Sequence, residues 1–349
     1  MANKIGWGQG SVNNDIGWGQ GASNNSVDWG NIQAISPSGE TNIVGGGGTP
    51  QLFPNWEDNN VDGSEFMTAL NNYLPQTFNN TTNTFGSLSG SAKWVSSVLA
   101  PNGKIYGIPY DSTQILEIDP ATNTTTLFGS LSGSAKWVGG VLAPNGKIYG
   151  IPRNSTQVLE IDPTNQTTTL FGSLSGVEKW TGGVLATNGK IYGIPFNSTQ
   201  VLEIDPATQT TTLFGSLSGT LKWTGGVLAP NGKIYGIPRN STSILEIDPI
   251  TQTTTLFGSL SGTNKWTGGV LAPNGKIYGV PFDSTQILEI DPTTNTTTLF
   301  GSLSGTSKWY SGVLSPNGKI YGIPFSSTQV LEIDPVNQTT TLFGILSGS

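Results

Sequence analysis

Lys222–Thr263 reads KWTGGVLAPNGKIYGIPRNSTSILEIDPITQTTTLFGSLSGT. Its Trp223 belongs to a series, Trp94, Trp137, Trp180, Trp223, Trp266 and Trp309, spaced 43 residues apart in nearly constant text. A period of this length marks an array of supersecondary units, so it governs how every shorter motif is read. In the first copy the predicted strands are a (Trp94–Ala100), b (Lys104–Pro109), c (Gln114–Asp119) and d (Thr124–Phe128), rich in β-branched and aromatic residues. Pro101-Asn102-Gly103 separates a from b, and Asn-Gly is a strong hairpin signal because both residues accept positive φ. Asp119-Pro120 opens the c–d turn, Pro presetting φ and Asp able to bond its own backbone. No part of the unit has helical periodicity. Four short antiparallel strands per unit, repeated radially, predict an all-β fold: a six-bladed β-propeller closed into a ring that protects its sheet edges.

Composition narrows the chemistry. The 349 residues include 48 Gly and 21 Pro, 15 Lys+Arg against 22 Asp+Glu, a formal net charge of -7, and no His or Cys. Without Cys there is no disulfide, thiolate nucleophile or Cys-ligated metal. Without His the commonest metal ligand and near-neutral base are missing. An acidic chain with two Arg, Arg153 and Arg239, is unsuited to nucleic acid. No run nears the roughly 18 apolar residues of a membrane span, and the first ten residues carry no apolar signal region.

The strings Gly-Lys-Ile-Tyr-Gly-Ile-Pro and Val/Ile-Leu-Glu-Ile-Asp-Pro give residues 81–349 a resemblance to six-bladed propeller families, which implies architecture and not activity. Thr81–Gly90 (TTNTFGSLSG) is a seventh copy of the strand-d text. Either it pairs into the last blade or it is the connector into the first Trp strand, and the sequence leaves both open. Pairing b with c sets Tyr106 opposite Glu117 and Lys104 opposite Asp119, so the repeated carboxylates read as cross-strand ion pairs and not as a Ca²⁺ site. The six Trp residues read as blade-to-blade packing.

Residues 1–44 are different text. Ile5–Gly10 (IGWGQG) returns as Ile16–Gly21, and Trp7, Trp18 and Trp29 are spaced by 11. Gly this dense does not hold a strand alone, which predicts a flexible tether carrying three aromatic anchors. With the closing Ser38–Gly45 (SGETNIVG), this segment looks like the N-terminal segments of small structural proteins from tailed-phage virions. That resemblance implies that Trp7, Trp18 and Trp29 anchor the chain to other virion structural proteins. Residues 45–50 read as a Gly-rich linker. Residues 51–80 read as a short plug with a helix over Ser64–Leu74, started by Asp62 with Glu65 in the capping-box position.

The copies disagree most after the Ile/Val-Pro of strand b, at Tyr110, Arg153, Phe196, Arg239, Phe282 and Phe325, and in the d–a connection. In a four-stranded antiparallel blade these lie at one end, so the divergent positions share one rim. Arg and large aromatics are typical of binding hot spots, and aromatic faces stack on sugars. The expectation is a non-enzymatic virion structural protein. Its propeller is displayed for decoration or adhesion to a host-surface glycan or protein, with no catalytic residues, metal, cofactor or membrane insertion. The alternative is a stand-alone soluble propeller lectin with a non-specific tail. Near-perfect repetition puts the same residues at six places, whereas catalysis needs different residues at one. The sequons at Asn80, Asn123, Asn154, Asn197 and Asn240 read as by-products of an Asn/Thr-rich composition.

Overall fold

The computed structural model describes residues 83–346, together with the backbone of Lys4–Trp7 and Asp15–Trp18. The chain divides into two units, Met1–Thr84 and Phe85–Ser349. In the first unit the two Gly-Trp repeats pair as parallel strands, with Ile5 opposite Ile16 and Trp7 opposite Trp18. The expected tether is therefore strand-paired at its tandem motif: neither Gly-rich strand stands alone, but each completes the other's backbone hydrogen bonds. Trp29, the linker, and the plug with its helix at Ser64–Leu74 lie outside the described residues.

The second unit is all-β. Six four-stranded antiparallel sheets follow one another, one per 43-residue unit, as a six-bladed propeller. In the first sheet the strands are a (Trp94–Leu99), b (Ile105–Pro109), c (Ile115–Asp119) and d (Thr124–Phe128). In the last they are Trp309–Leu314, Ile320–Pro324, Val330–Asp334 and Thr339–Phe343. The strand order is a-b-c-d throughout. Strand a runs beside strand a of the next sheet: a Cβ on Gly139 would lie 2.8 Å from the Gly182 Cα, and Thr181 Oγ1 donates to the Trp223 carbonyl at 3.1 Å. Strand a is therefore innermost, and strand d is the exposed outer edge.

The core lies between sheets. The front of one sheet, with Val98, Ala100, Tyr106, Ile108 and Ile115, packs on Trp137, Ile148, Leu159 and Ile161 at the back of the next. Trp137, Trp180, Trp223 and Trp266 are each 1% exposed, as packing residues should be. Each indole N–H donates to a backbone carbonyl, Trp180 Nε1 to Gln200 at 2.9 Å, so no polar atom is stranded. Gly183 supplies the notch into which the preceding sheet presses, since a Cβ there would lie 2.5 Å from Ile151 Cδ1.

Toward the a–b turns a polar clamp joins neighbours. Tyr149 Oη donates to Glu160 Oε2 at 2.8 Å, and Lys147 Nζ reaches Glu160 Oε1 at 2.6 Å. From the third sheet, Gln209 Nε2 donates to both Glu160 oxygens at 3.0 and 3.1 Å. The Tyr–Glu register is as expected. Lys104 lies opposite Asp119 as expected and 3.8 Å from its carboxylate, but its closer partner is Glu117, at 2.6 Å. Asp119 instead accepts the Ala121 amide at 2.9 Å and closes the c–d turn. The reason is the buried position of Glu117, whose charge needs a cation more than the half-exposed Asp119 does.

Five of the six junctions that a closed ring requires are built among the described residues. The sixth, from the last sheet to the first, is not. The last sheet keeps its own strand d, and Phe85–Ala92 enters the first sheet as a connector, which decides between the two readings of the seventh copy.

Two predictions follow from the packing. Trp180→Ala lowers stability by ~3–5 kcal/mol in chemical denaturation, as large-to-small core changes do. Burial works to raise the carboxyls of Glu117, Glu160, Glu203 and Glu289, but their Lys, Tyr and Gln donors outweigh it and hold them below the ordinary value. The unfolded chain then binds more protons as pH falls, so this stability is complete above about pH 4.5 and drains away below it. Thermal melts from pH 6 to 3 should fall steeply below that point, and less steeply for Glu160→Gln.

Candidate ligand-binding rim

Strand b ends at a Pro paired with the Trp that starts strand a, Pro152 opposite Trp137. The next residue therefore emerges beside the start of the innermost strand, at one mouth of the axis. The d–a connectors arrive at the same end: Arg153 N donates to the Lys136 carbonyl at 2.8 Å, and Lys179 N to the Arg153 carbonyl at 3.0 Å.

Five junctions fix this end in the same way. Lys179 Nζ donates to the carbonyls of Arg153, Ser155 and Gly176 at 3.1, 2.8 and 3.0 Å and sits 5.8 Å from the Trp180 ring centroid. Burial draws Lys179, Lys222 and Lys265 down to about 8. The carbonyl cage ties each b–c loop to the connector that follows it. The residue before each Lys adopts positive φ, as Glu178 (48°), Leu221 (50°) and Asn264 (47°) do. Its N–H is taken by the Asx residue of the previous b–c loop: Asn154 Oδ1 accepts from Glu178 at 2.8 Å and Asn240 Oδ1 from Asn264 at 2.7 Å. The sequon residues Asn154, Asn197 and Asn240 are thus clamp residues of the rim.

On this frame neighbouring rim positions touch. The Arg153 guanidinium lies 5.8 Å from the Tyr110 ring and 5.9 Å from the Phe196 ring, and Arg239 lies 5.6 Å from Phe196. Arg153 also pairs with Glu178, while its buried Nε has no partner. Arg239 Nε donates to Asn264 Oδ1 at 2.9 Å. Across the other side, Phe282, Phe325 and Tyr310 form an aromatic trio with centroids 5.8–6.3 Å apart. Phe325 is 63% and Tyr310 60% exposed, whereas Phe196 is buried. The rim thus carries a row of alternating aromatic rings and Arg from Tyr110 to Arg239, and an aromatic trio whose Tyr310 and Phe325 are exposed. Sequence comparison between copies points to the d–a connection that holds Glu178 and Asn264, and misses Tyr310. The signal for Tyr310 was available: the residue after Trp is Val or Thr in the other five units.

Residues 140–278 match a family model described as a repeat of unknown function (DUF6923). No curated protein matches the chain in sequence. Among solved structures, the chain is similar to virginiamycin B lyase of Staphylococcus aureus, in a catalytically inactive histidine-to-alanine variant solved with quinupristin. The TM-score is 0.63 at 12% identity, covering 74% of this chain and 87% of that one. A streptogramin B lyase gives 0.62 at 14%, covering 74% and 84%. Hydrazine synthase of Kuenenia stuttgartiensis gives 0.53 at 13%, covering 71% and 80%. At these identities the likeness shows the fold alone. It does correct one expectation. Near-perfect repetition predicts no enzyme, because it sets the same residues at six places, yet the solved structures that share this fold include lyases, so the fold does not exclude an enzyme.

Asn240→Ala removes the acceptor of the Asn264 amide and should cost about 1–2 kcal/mol. Hydrogen exchange at the Asn264 amide should quicken while amides of the strand interiors keep their protection.

Proposed function

We propose that this chain is a binding protein whose rim engages a surface glycan, and that residues 1–44 attach it to a larger particle, as a virion structural protein would be attached. The observation that carries the reading is the Phe282–Tyr310–Phe325 trio, in which Tyr310 and Phe325 are exposed. Exposed aromatic faces offer C–H stacking to pyranose rings, and the exposed Ser326 beside Phe325 offers a hydroxyl to their hydroxyls. The patch rests on a frame fixed by caged lysines and Asx clamps, so little ordering is left to be done on binding. Residues 1–44 enter through their resemblance to tailed-phage structural segments and through the strand pairing of the tandem motif.

The solved lyase complex supports a propeller of this kind as a platform for a bulky ligand, quinupristin in that protein. The histidine whose replacement inactivates that enzyme has no counterpart type here, because this chain contains no His. Any chemistry on this rim would run on other residues.

The test is titration of the full chain against host-surface polysaccharides, with released reducing ends followed in the same samples. The triple variant Phe282→Ala, Tyr310→Ala, Phe325→Ala should bind at least about tenfold more weakly, with circular dichroism unchanged. Equal binding by the variant overturns the rim assignment, and reducing ends in step with binding would make it a cleavage site. Deleting residues 1–44 should leave glycan binding intact and remove the chain from particles.

A further inference from the structure

The second and fourth sheets put Arg at the same rim position, and the residue that faces each Arg differs. Arg153 meets Glu178, whereas Arg239, two repeats later, meets Asn264 at the place equivalent to Glu178. The frame beneath them is the same: both connector residues hold positive φ, and each gives its amide to the Asn of the preceding b–c loop. The charge is not the same. Glu178 takes a terminal nitrogen of Arg153, is held from its other oxygen by Asn197 Nδ2 at 3.3 Å, and leaves the Arg153 Nε buried without a partner. Asn264 takes the Nε of Arg239 at 2.9 Å and brings no charge.

The Arg239 guanidinium is thereby aimed but not neutralised. The Phe196 ring lies against it and Asn264 fixes its Nε edge, so its two terminal nitrogens are the donors that remain. Among the described residues they meet no carboxylate, and unlike the Arg153 Nε they are not enclosed. Two charged groups stand nearby. Lys265 Nζ is held beneath the loop by the carbonyls of Arg239, Ser241 and Gly262 at 3.2, 2.8 and 2.9 Å, and its charge adds to that of the Arg. Asp283 turns to the next connector, where its Oδ1 accepts the Ser307 amide at 2.7 Å. The junction itself does not need the Arg side chain, because Phe196 and Phe282 make the same amide bond to a Lys carbonyl at 2.8 and 2.9 Å that Arg239 makes at 2.8 Å. Lys265 also links this loop to the next: its amide donates to the Arg239 carbonyl, and its carbonyl accepts from the Phe282 amide. Arg239 and the first ring of the aromatic trio therefore stand on consecutive loops joined through one residue.

We propose that Arg239 is an anion subsite of the rim, which takes the carboxylate of an acidic sugar end-on through its two terminal nitrogens, with Asn264 as the residue that aims it. The proposal rests on the glycan reading of the rim and names the class of glycan, one that carries uronic-acid carboxylates. An Arg presents its donors in a planar fork that matches the two oxygens of a carboxylate. Arg153 is the same side chain with its anion already provided by Glu178, so the protein contains both the closed and the open form of one site. The trio stacks on rings without regard to charge, and Arg239 adds the selection for charge.

Calorimetric titration of the full chain with tetragalacturonate and with its methyl ester tests this, because the two differ only in whether the carboxylates are free. The acid should bind at least about tenfold more tightly than the ester. Asn264→Glu gives the fourth sheet the pair that the second already accommodates. It should bring binding of the acid down to that of the ester, as should Arg239→Gln, with circular dichroism unchanged in both. No binding of the acid, equal binding of acid and ester, or an undiminished preference for the acid in Asn264→Glu overturns the subsite. The reading beneath it fails separately. The triple variant Phe282→Ala, Tyr310→Ala, Phe325→Ala should weaken acid and ester alike. If it weakens neither while Arg239→Gln removes the preference for the acid, the trio loses its role and the Arg239 subsite stands.

Discussion

Each four-stranded sheet has two apolar faces, and neither is satisfied within its own 43 residues. The front offers Val, Tyr, Ile and Ile, the back offers Trp, Ile, Leu and Ile, and only contact between neighbours removes them from water. Burial of this kind is the main favourable term in folding, so the fold depends on this contact more than on any hydrogen bond. The repeat follows from that requirement. A notch glycine lets the backbone come close enough for Ile to enter, and the Tyr–Glu–Lys–Gln clamp then satisfies polar groups that the close approach would otherwise strand.

The same contact builds the rim. Because sheets stack by their faces, the b–c loop of one sheet meets the connector of the next, and an Asx side chain and a caged Lys lock the two together. The six variable positions are thereby held on a constant frame. Variation there alters what the rim presents without disturbing the junction: Arg153 and Phe196 occupy equivalent backbone sites with the same hydrogen bonds to Lys136 and Lys179.

The repeat made most of the sheets legible. Strand bounds, the Tyr106–Glu117 register and the packing role of Trp follow from local text, because turn residues and alternation act over a few positions. Partners that depend on depth were harder to read. Lys104 could meet Glu117 or Asp119, and only burial of the glutamate decides. Residues at positive φ, such as Gln166 and Glu178, were hidden because neither type favours that region. Ring closure was illegible for a further reason: the front of the last sheet is spelled almost as in every other copy, so its text does not say whether anything covers it.

Small differences at the ends do carry information. Gly139, Gly182, Gly225 and Gly268 hold positive φ and step out of the ladder between Trp and the notch glycine. The terminal sheets have Ser96 and Ser311 there, and both pair with strand b, opposite Ile108 and Ile323. A serine resists the left-handed region that glycine enters freely, so Ser96 and Ser311 keep their pairing with strand b, and the register shift that all six sheets share falls directly after the Trp in these two. End units that depart from the consensus are what an array needs where its neighbours stop being identical. The first sheet changes its notch as well and the last sheet does not, so the two ends are unlike: one keeps the shared receiving face, and the other refuses the shared knob.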